Sequence, residues 1–146
     1  MAIRVVLLDD HAPFRSYLAR LLAQQEPLVV VGEAGELDAL LQLLAGLDPG
    51  RTPDVLLVDV GMPHCSGPAL TSAVLTTHPT LRVLALSMHD DPAFVAAMMA
   101  AGARGYILKD DPLTDIVAAI REVAAGRNFF SLRLGNSDLR SPHNTD

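Results

Sequence analysis

Five polar side chains each follow directly on a short apolar run. Asp9 and Asp10 come after Ile3-Arg4-Val5-Val6-Leu7-Leu8, and Asp59 after Val55-Leu56-Leu57-Val58. Ser87 comes after Leu81-Arg82-Val83-Leu84-Ala85-Leu86, and Lys109 after Tyr106-Ile107-Leu108. Near-continuous apolar runs of this length read as strands buried on both faces, the mark of a parallel sheet. If the runs lie parallel, all five side chains meet at one edge. Carboxylates gathered there repel one another, and a divalent cation relieves that repulsion. Mg²⁺ suits such a cluster because it takes oxygen ligands and keeps several waters. One or two acids from the first strand, one oxygen of Asp59 and a backbone carbonyl just beyond it would suffice. The other Asp59 oxygen is then free to attack phosphorus as a nucleophile. Phosphoryl transfer needs positioning and charge neutralisation above all. Lys109 offers positive charge and Ser87 a hydroxyl donor.

Each residue also has an ordinary role. A lone Asp after a strand is most often a helix cap, and Asp10 can cap the first helix. A Lys there is usually solvated, and a Ser is usually a cap. Singly, each ordinary reading wins. Acids after strands 1 and 3, a hydroxyl after strand 4 and a lysine after strand 5 are far harder to obtain by accident.

The elements that must position these residues alternate strand and helix five times. Strands are expected at 3–8, 28–31 (closed by Gly32), 54–58, 81–86 and 105–108. Helical spacing follows each strand: Phe14, Tyr17, Leu18, Leu21 and Leu22 in the first helix, and Ile116, Val117 and Ile120 in the last. Asp91-Pro92 and Asp111-Pro112 each look like a cap followed by a first-turn proline. Alternation of this kind predicts an α/β fold, a five-stranded parallel sheet with helices on both faces. Ligands in such sheets bind beyond the carboxyl ends of the strands, where strand order switches. In the order 2-1-3-4-5 the switch lies between strands 1 and 3, the two that end in acids.

The chain has 146 residues, 50% of them hydrophobic and 19% charged, enough for one domain with a proper aliphatic core. Its net charge of -6 argues against nucleic-acid binding through a basic patch. A single cysteine cannot form an internal disulfide and fits a reducing cytoplasm. No signal peptide and no apolar stretch of membrane-spanning length is expected. The domain is read as 1–126. Residues 127–146 read as a loose polar tail or linker. His11, His64, Cys65 and His89 fall on loops at the active edge, a weak pattern for a transition-metal site.

Here the sequence resembles a family. Val5-Val6-Leu7-Leu8-Asp9-Asp10-His11, Val55-Leu56-Leu57-Val58-Asp59-Val60-Gly61-Met62-Pro63 and Ala85-Leu86-Ser87-Met88-His89-Asp90-Asp91 resemble the receiver domain of two-component response regulators. The stretch from Ala101-Gly102-Ala103-Arg104-Gly105 through Tyr106-Ile107-Leu108-Lys109-Asp110 narrows this to the NarL/FixJ type. The resemblance implies the flavodoxin-like receiver fold, Asp59 as phosphoacceptor, and Mg²⁺ held by Asp9, Asp10, Asp59 and the Gly61 carbonyl. It implies Lys109 as phosphate sensor, Ser87 as switch hydroxyl and Tyr106 as switch aromatic. The implied partners are a sensor histidine kinase and a second copy through a helical face, with output to transcription or a partner protein. The implied protein catalyses its own phosphorylation and has no turnover substrate. The loop from Leu47 to Pro53 looks longer than usual, and Gly67-Pro68 suggests a changed start to the third helix. Such regulators usually continue into a helix-turn-helix domain. None follows here, so a receiver fragment or a single-domain regulator is expected, with no nucleic acid bound by this chain. Two rivals remain: an aspartyl-phosphate phosphohydrolase, whose D-x-D motif Asp9-Asp10-His11 breaks, and a phosphorylation-independent interaction module.

Overall fold

The computed structural model describes residues 2–61 and 66–134. Six parallel strands form one sheet in the order β2-β1-β3-β4-β5-β6. They are β1 (Ile3–Leu8), β2 (Leu28–Ala34), β3 (Val55–Asp59), β4 (Arg82–Ser87), β5 (Gly105–Leu108) and β6 (Phe129–Phe130). Five α-helices connect the first five strands and follow β5: α1 (Ala12–Ala23), α2 (Leu37–Ala45), α3 (Gly67–Thr77), α4 (Pro92–Ala101) and α5 (Leu113–Ala124).

Strand periodicity divides the core in two. Val5, Leu7, Leu57, Leu86 and Ile107 point to the side covered by α1 and α5. Their neighbours Val6, Leu8, Val58, Ala85 and Tyr106 point to the side covered by α2, α3 and α4. Successive residues of a strand face opposite ways, so an unbroken apolar run fills both layers. β1, β3 and β4 are buried almost throughout, and the residues after them are therefore fixed at the sheet edge.

Four local features differ from the sequence expectation. β2 does not stop at Gly32 but runs to Ala34, after a register shift opposite Val5 and Val6. A Cβ on Gly32 would stand 2.5 Å from Leu43 Cδ1, so this glycine admits α2 close to the sheet. The Leu47–Pro53 stretch contains a short 3-10 turn, Pro49–Arg51. Gly67 and Pro68 fit the first turn of α3 behind the Ser66 cap, whose Oγ accepts from the Ala69 N–H at 3.2 Å. Most consequentially, residues 127–134 are folded. β6 pairs Gly105 with Phe129 and Tyr106 with Phe130, and Leu134 is buried behind it. A two-residue apolar strand is too short to show periodicity. Met62-Pro63 and residues 135–146 lie outside the described residues.

Candidate functional site

The edge cluster assembles from the strand ends upward. Asp9 leaves β1 with its N–H bonded to the Ala34 carbonyl at 3.1 Å, and its Oδ1 accepts from the His11 N–H at 2.9 Å. Asp59 is the last residue of β3, and its Oδ1 accepts from the Gly61 N–H at 3.1 Å. Ser87 ends β4 and is fully buried, with its Oγ accepting from the His89 N–H at 2.8 Å. Lys109 extends β5 by one ladder bond, its N–H donating to the Ser87 carbonyl at 2.8 Å. The Lys109 side chain reaches back across the edge. Its Nζ stands 2.9 Å from Asp9 Oδ2 and 3.5 Å from Asp59 Oδ2, and 4.9 Å from the centroid of the Phe14 ring.

The ordinary readings fail one by one. The residue capping α1 is His11, without a side-chain cap bond, so Asp10 is not spent there and stays exposed. Lys109 is turned inward between two carboxylates, not solvated. The cap of α4 is Asp91, whose Oδ1 accepts from the Ala93 N–H at 2.9 Å, which leaves Ser87 for the site.

Oxygens of Asp9, Asp10 and Asp59 come within 4.8 Å of one another. At about 4 Å, two like charges at an effective dielectric near 20 repel by about 4 kcal/mol. Burial raises the Asp59 carboxyl above its ordinary 3.8, and the Asp9 charge pushes the same way. The Gly61 N–H and Lys109 oppose both. Three carboxylates against one ammonium leave two negative charges, matched by one divalent cation. Asp9 Oδ2 is buried and makes the lysine contact without an aligned hydrogen bond, so it retains acceptor capacity. Oxygen donors alone, one of them orphaned, fit Mg²⁺. The three carboxylates would hold such an ion directly or through its waters. The softer metal site finds no such support. His64 and Cys65 lie outside the described residues, His11 stacks on Phe14 at 6.3 Å, and His89 stacks on Phe94 at 4.8 Å. Among the described residues only the three acids gather as a ligand set.

Tyr106 is fully buried, and its hydroxyl donates to the His89 carbonyl at 2.8 Å. Burial raises the pKa of this phenol.

Sequence reasoning missed three supports of the site. Arg15 donates through Nη1 to the Asp9 carbonyl at 2.7 Å and through Nε to Glu33 at 3.0 Å, bracing the turn that presents Asp10. Phe14 lies against the Lys109 ammonium, a contact that attracts a cation to the ring face. Asp111, expected to cap α5, is instead buried with its Oδ2 accepting from the Leu108 N–H at 2.9 Å. Helical spacing carried a signal for Phe14 alone, as the first apolar residue after the acidic turn.

Known proteins share this arrangement of sequence and fold. Residues 5–121 match the model of the response regulator receiver domain. A transcriptional regulatory protein NarL from Mycobacterium tuberculosis is 40% identical over 129 residues, covering 88% of this chain and 58% of that protein. Response regulator GacA from Pseudomonas aeruginosa is 37% identical with the same coverage. The chain thus spans less than two thirds of the length of these relatives. The solved signal receiver domain of the M. tuberculosis NarL superposes with a TM-score of 0.76 at 40% identity, covering 86% of this chain and 98% of that one. The isolated receiver domain of RcsB from Salmonella enterica, solved with a beryllofluoride phosphomimetic, gives a TM-score of 0.80 at 27% identity. It covers 95% of this chain and 99% of that one.

Proposed function

This chain belongs to the response regulator receiver family of two-component signalling, and we propose that Asp59 is its phosphoacceptor, loaded by a sensor histidine kinase. In the transfer, one Asp59 oxygen attacks the phosphorus of a phosphohistidine. An O–P bond forms, the N–P bond breaks, and the imidazole nitrogen keeps the electron pair and takes a proton. Asp9, Asp10, Asp59 and the Gly61 carbonyl would hold Mg²⁺, which when bound would supply charge neutralisation to the phosphoryl oxygens. Lys109 neutralises a further phosphoryl oxygen, and the Ser87 hydroxyl donates to another. The chain's own residues thus catalyse its phosphorylation without a turnover substrate, and the product is a changed conformation that controls transcription or a partner protein.

The observation that carries this reading is the position of Lys109 between Asp9 and Asp59, at 2.9 and 3.5 Å. A cation shared by two buried carboxylates is poised to move to a third anion bound beside them. No helix among the described residues is long and apolar enough to cross a membrane, and a cytoplasmic location fits a kinase partner. The acidic charge fits a chain that does not itself grip nucleic acid, and a second copy would pair through a helical face as the family resemblance implies.

Intact mass after treatment with acetyl phosphate and Mg²⁺ tests the assignment. The wild type gains one phosphoryl group and Asp59→Asn gains none. Equal labelling of both would place the acceptor elsewhere. Steady release of phosphate from small phosphoesters would favour the phosphohydrolase, and no labelling of either protein the phosphorylation-independent module.

A further inference from the structure

The turn that carries Lys109 is tied to the segment after α5. Asp111 lies two residues beyond Lys109, and its side chain is 0% exposed. Its Oδ2 accepts from the Leu108 N–H at 2.9 Å, and its Oδ1 from the Ser131 hydroxyl at 3.0 Å. Arg133 Nη1 stands 3.6 Å from the same Oδ1. The Arg133 guanidinium also grips both oxygens of Asp110, at 2.7 and 3.2 Å. The Ser131 N–H donates to the Tyr106 carbonyl at 2.9 Å.

A buried carboxylate is costly unless paired and hydrogen-bonded. Asp111 stands just before Pro112, where an exposed Asp would cap α5 at no such cost. The cap position is taken by Pro112 without a side-chain bond, so Asp111 serves another end. Its bonds join two pieces of chain, the 108–111 turn and residues 131–133. Lys109 reaches from that same turn to Asp9 and Asp59. A new anion on Asp59 therefore meets an ammonium whose turn is held in place by Ser131 and Arg133, and its pull on Lys109 favours the held turn.

We propose that residues 129–134 are coupled to the phosphoacceptor site through Asp111, with Ser131 and Arg133 acting as positioning residues for the Lys109 turn. The proposal rests on Asp59 being the phosphoacceptor. Coupling between two places is reciprocal: what the site does to the segment, the segment does to the site by the same factor. Loading Asp59 raises the protection of the segment, and loosening the segment weakens binding of a phosphoryl mimic by the same factor.

Amide hydrogen exchange of the full chain, with Mg²⁺ and with or without beryllofluoride, tests this. The expected result is altered protection at residues 59–61 and raised protection, by about five-fold or more, at 131–134. In Ser131→Ala and Arg133→Gln the response at 59–61 persists and that at 131–134 falls away. The beryllofluoride concentration for half-saturation rises by a matching factor. Arg133 is half exposed, so Arg133→Gln decides the matter if Ser131→Ala melts early. A wild-type response at 59–61 with none at 131–134 overturns the coupling and leaves the Asp59 assignment standing. Variants that match the wild type in both readouts overturn it as well. No response anywhere removes the Asp59 assignment, and the coupling with it.

Discussion

Ser87 and Tyr106 hold the same residue from two sides. The His89 N–H donates to Ser87 Oγ at 2.8 Å, and the His89 carbonyl accepts from the Tyr106 hydroxyl at 2.8 Å. Ser87 Oγ uses a lone pair in its bond, and its own hydrogen can turn to the neighbouring Tyr106 hydroxyl or to a phosphoryl oxygen. The Tyr106 ring already lies inward, fully buried. A pull on the Ser87 hydroxyl thus reaches Tyr106 both directly and through His89.

Ser87→Ala is therefore expected to leave Asp59 open to phosphorylation while uncoupling it from the stretch beyond β4. A ligand shifts a two-state element only by its differential affinity for the two states, and this variant deletes the contact that differs. Amide exchange over residues 88–110, with and without beryllofluoride, reads the effect. A response as full as that of the wild type would show that the switch does not run through this hydroxyl.

Asp10→Ala should raise the Mg²⁺ concentration for half-maximal phosphorylation by acetyl phosphate more than tenfold. Losing even an outer partner of a metal ligand costs ~10–100-fold in affinity, and a charged ligand is worth at least as much. Asp10 is exposed and caps nothing, so its removal should not lower the metal-free melting temperature. Calorimetric titration with Mg²⁺ supplies the direct measure. Superimposable binding curves would exclude Asp10 from the metal set.

The site was legible in the sequence because each of its residues ends a buried strand. Asp59 and Ser87 could be placed at the edge from the apolar runs before them, and Lys109 from the Tyr106-Ile107-Leu108 run. The supports were not legible because they depend on contacts between distant segments. Nothing local marks Asp111 as turned inward, since Asp111-Pro112 has the same look as Asp91-Pro92, which does cap its helix. Arg15 sits on an amphipathic helix like any solvated arginine until β2 brings Glu33 beside it. The sixth strand escaped for the same reason. Phe129 and Phe130 find their partners in Gly105 and Tyr106, and two residues show no period.

Gly105→Ala should disrupt that sixth strand. A Cβ at residue 105 would collide with the Phe129 carbonyl and stand 2.9 Å from Leu84 Cδ1. Leu84 can give way, but the Phe129 backbone can do so only by leaving the ladder. A destabilisation of about 1–3 kcal/mol is expected, as for other overpacked sites. Denaturant melts give the magnitude, and faster exchange at residues 129–134 identifies the place. Unchanged exchange there would mean that the glycine serves β4 and β5 alone.

The metal-free protein should be limited by its own carboxylates, and Asp59→Asn should relieve the strain. Burial and the nearby Asp9 charge hold the Asp59 pKa above 3.8 in the folded chain. A carboxyl whose folded pKa is raised binds its proton more tightly when folded, so its ionisation costs stability. That cost is full above the folded pKa, shrinks as pH falls through it, and is gone below the unfolded value near 3.8. With a chelator present at pH 7, Asp59→Asn is thus expected to melt at a higher temperature than the wild type. The advantage should narrow on acidification toward pH 4. Saturating Mg²⁺ should narrow it too, by stabilising the wild type through its bound ion. Thermal melts of both proteins across pH 4–8, with chelator and with Mg²⁺, give the measurement. An advantage that grew on acidification, or was never present, would mean that Lys109 already neutralises Asp59 and that repulsion from Asp9 is not what the cation relieves.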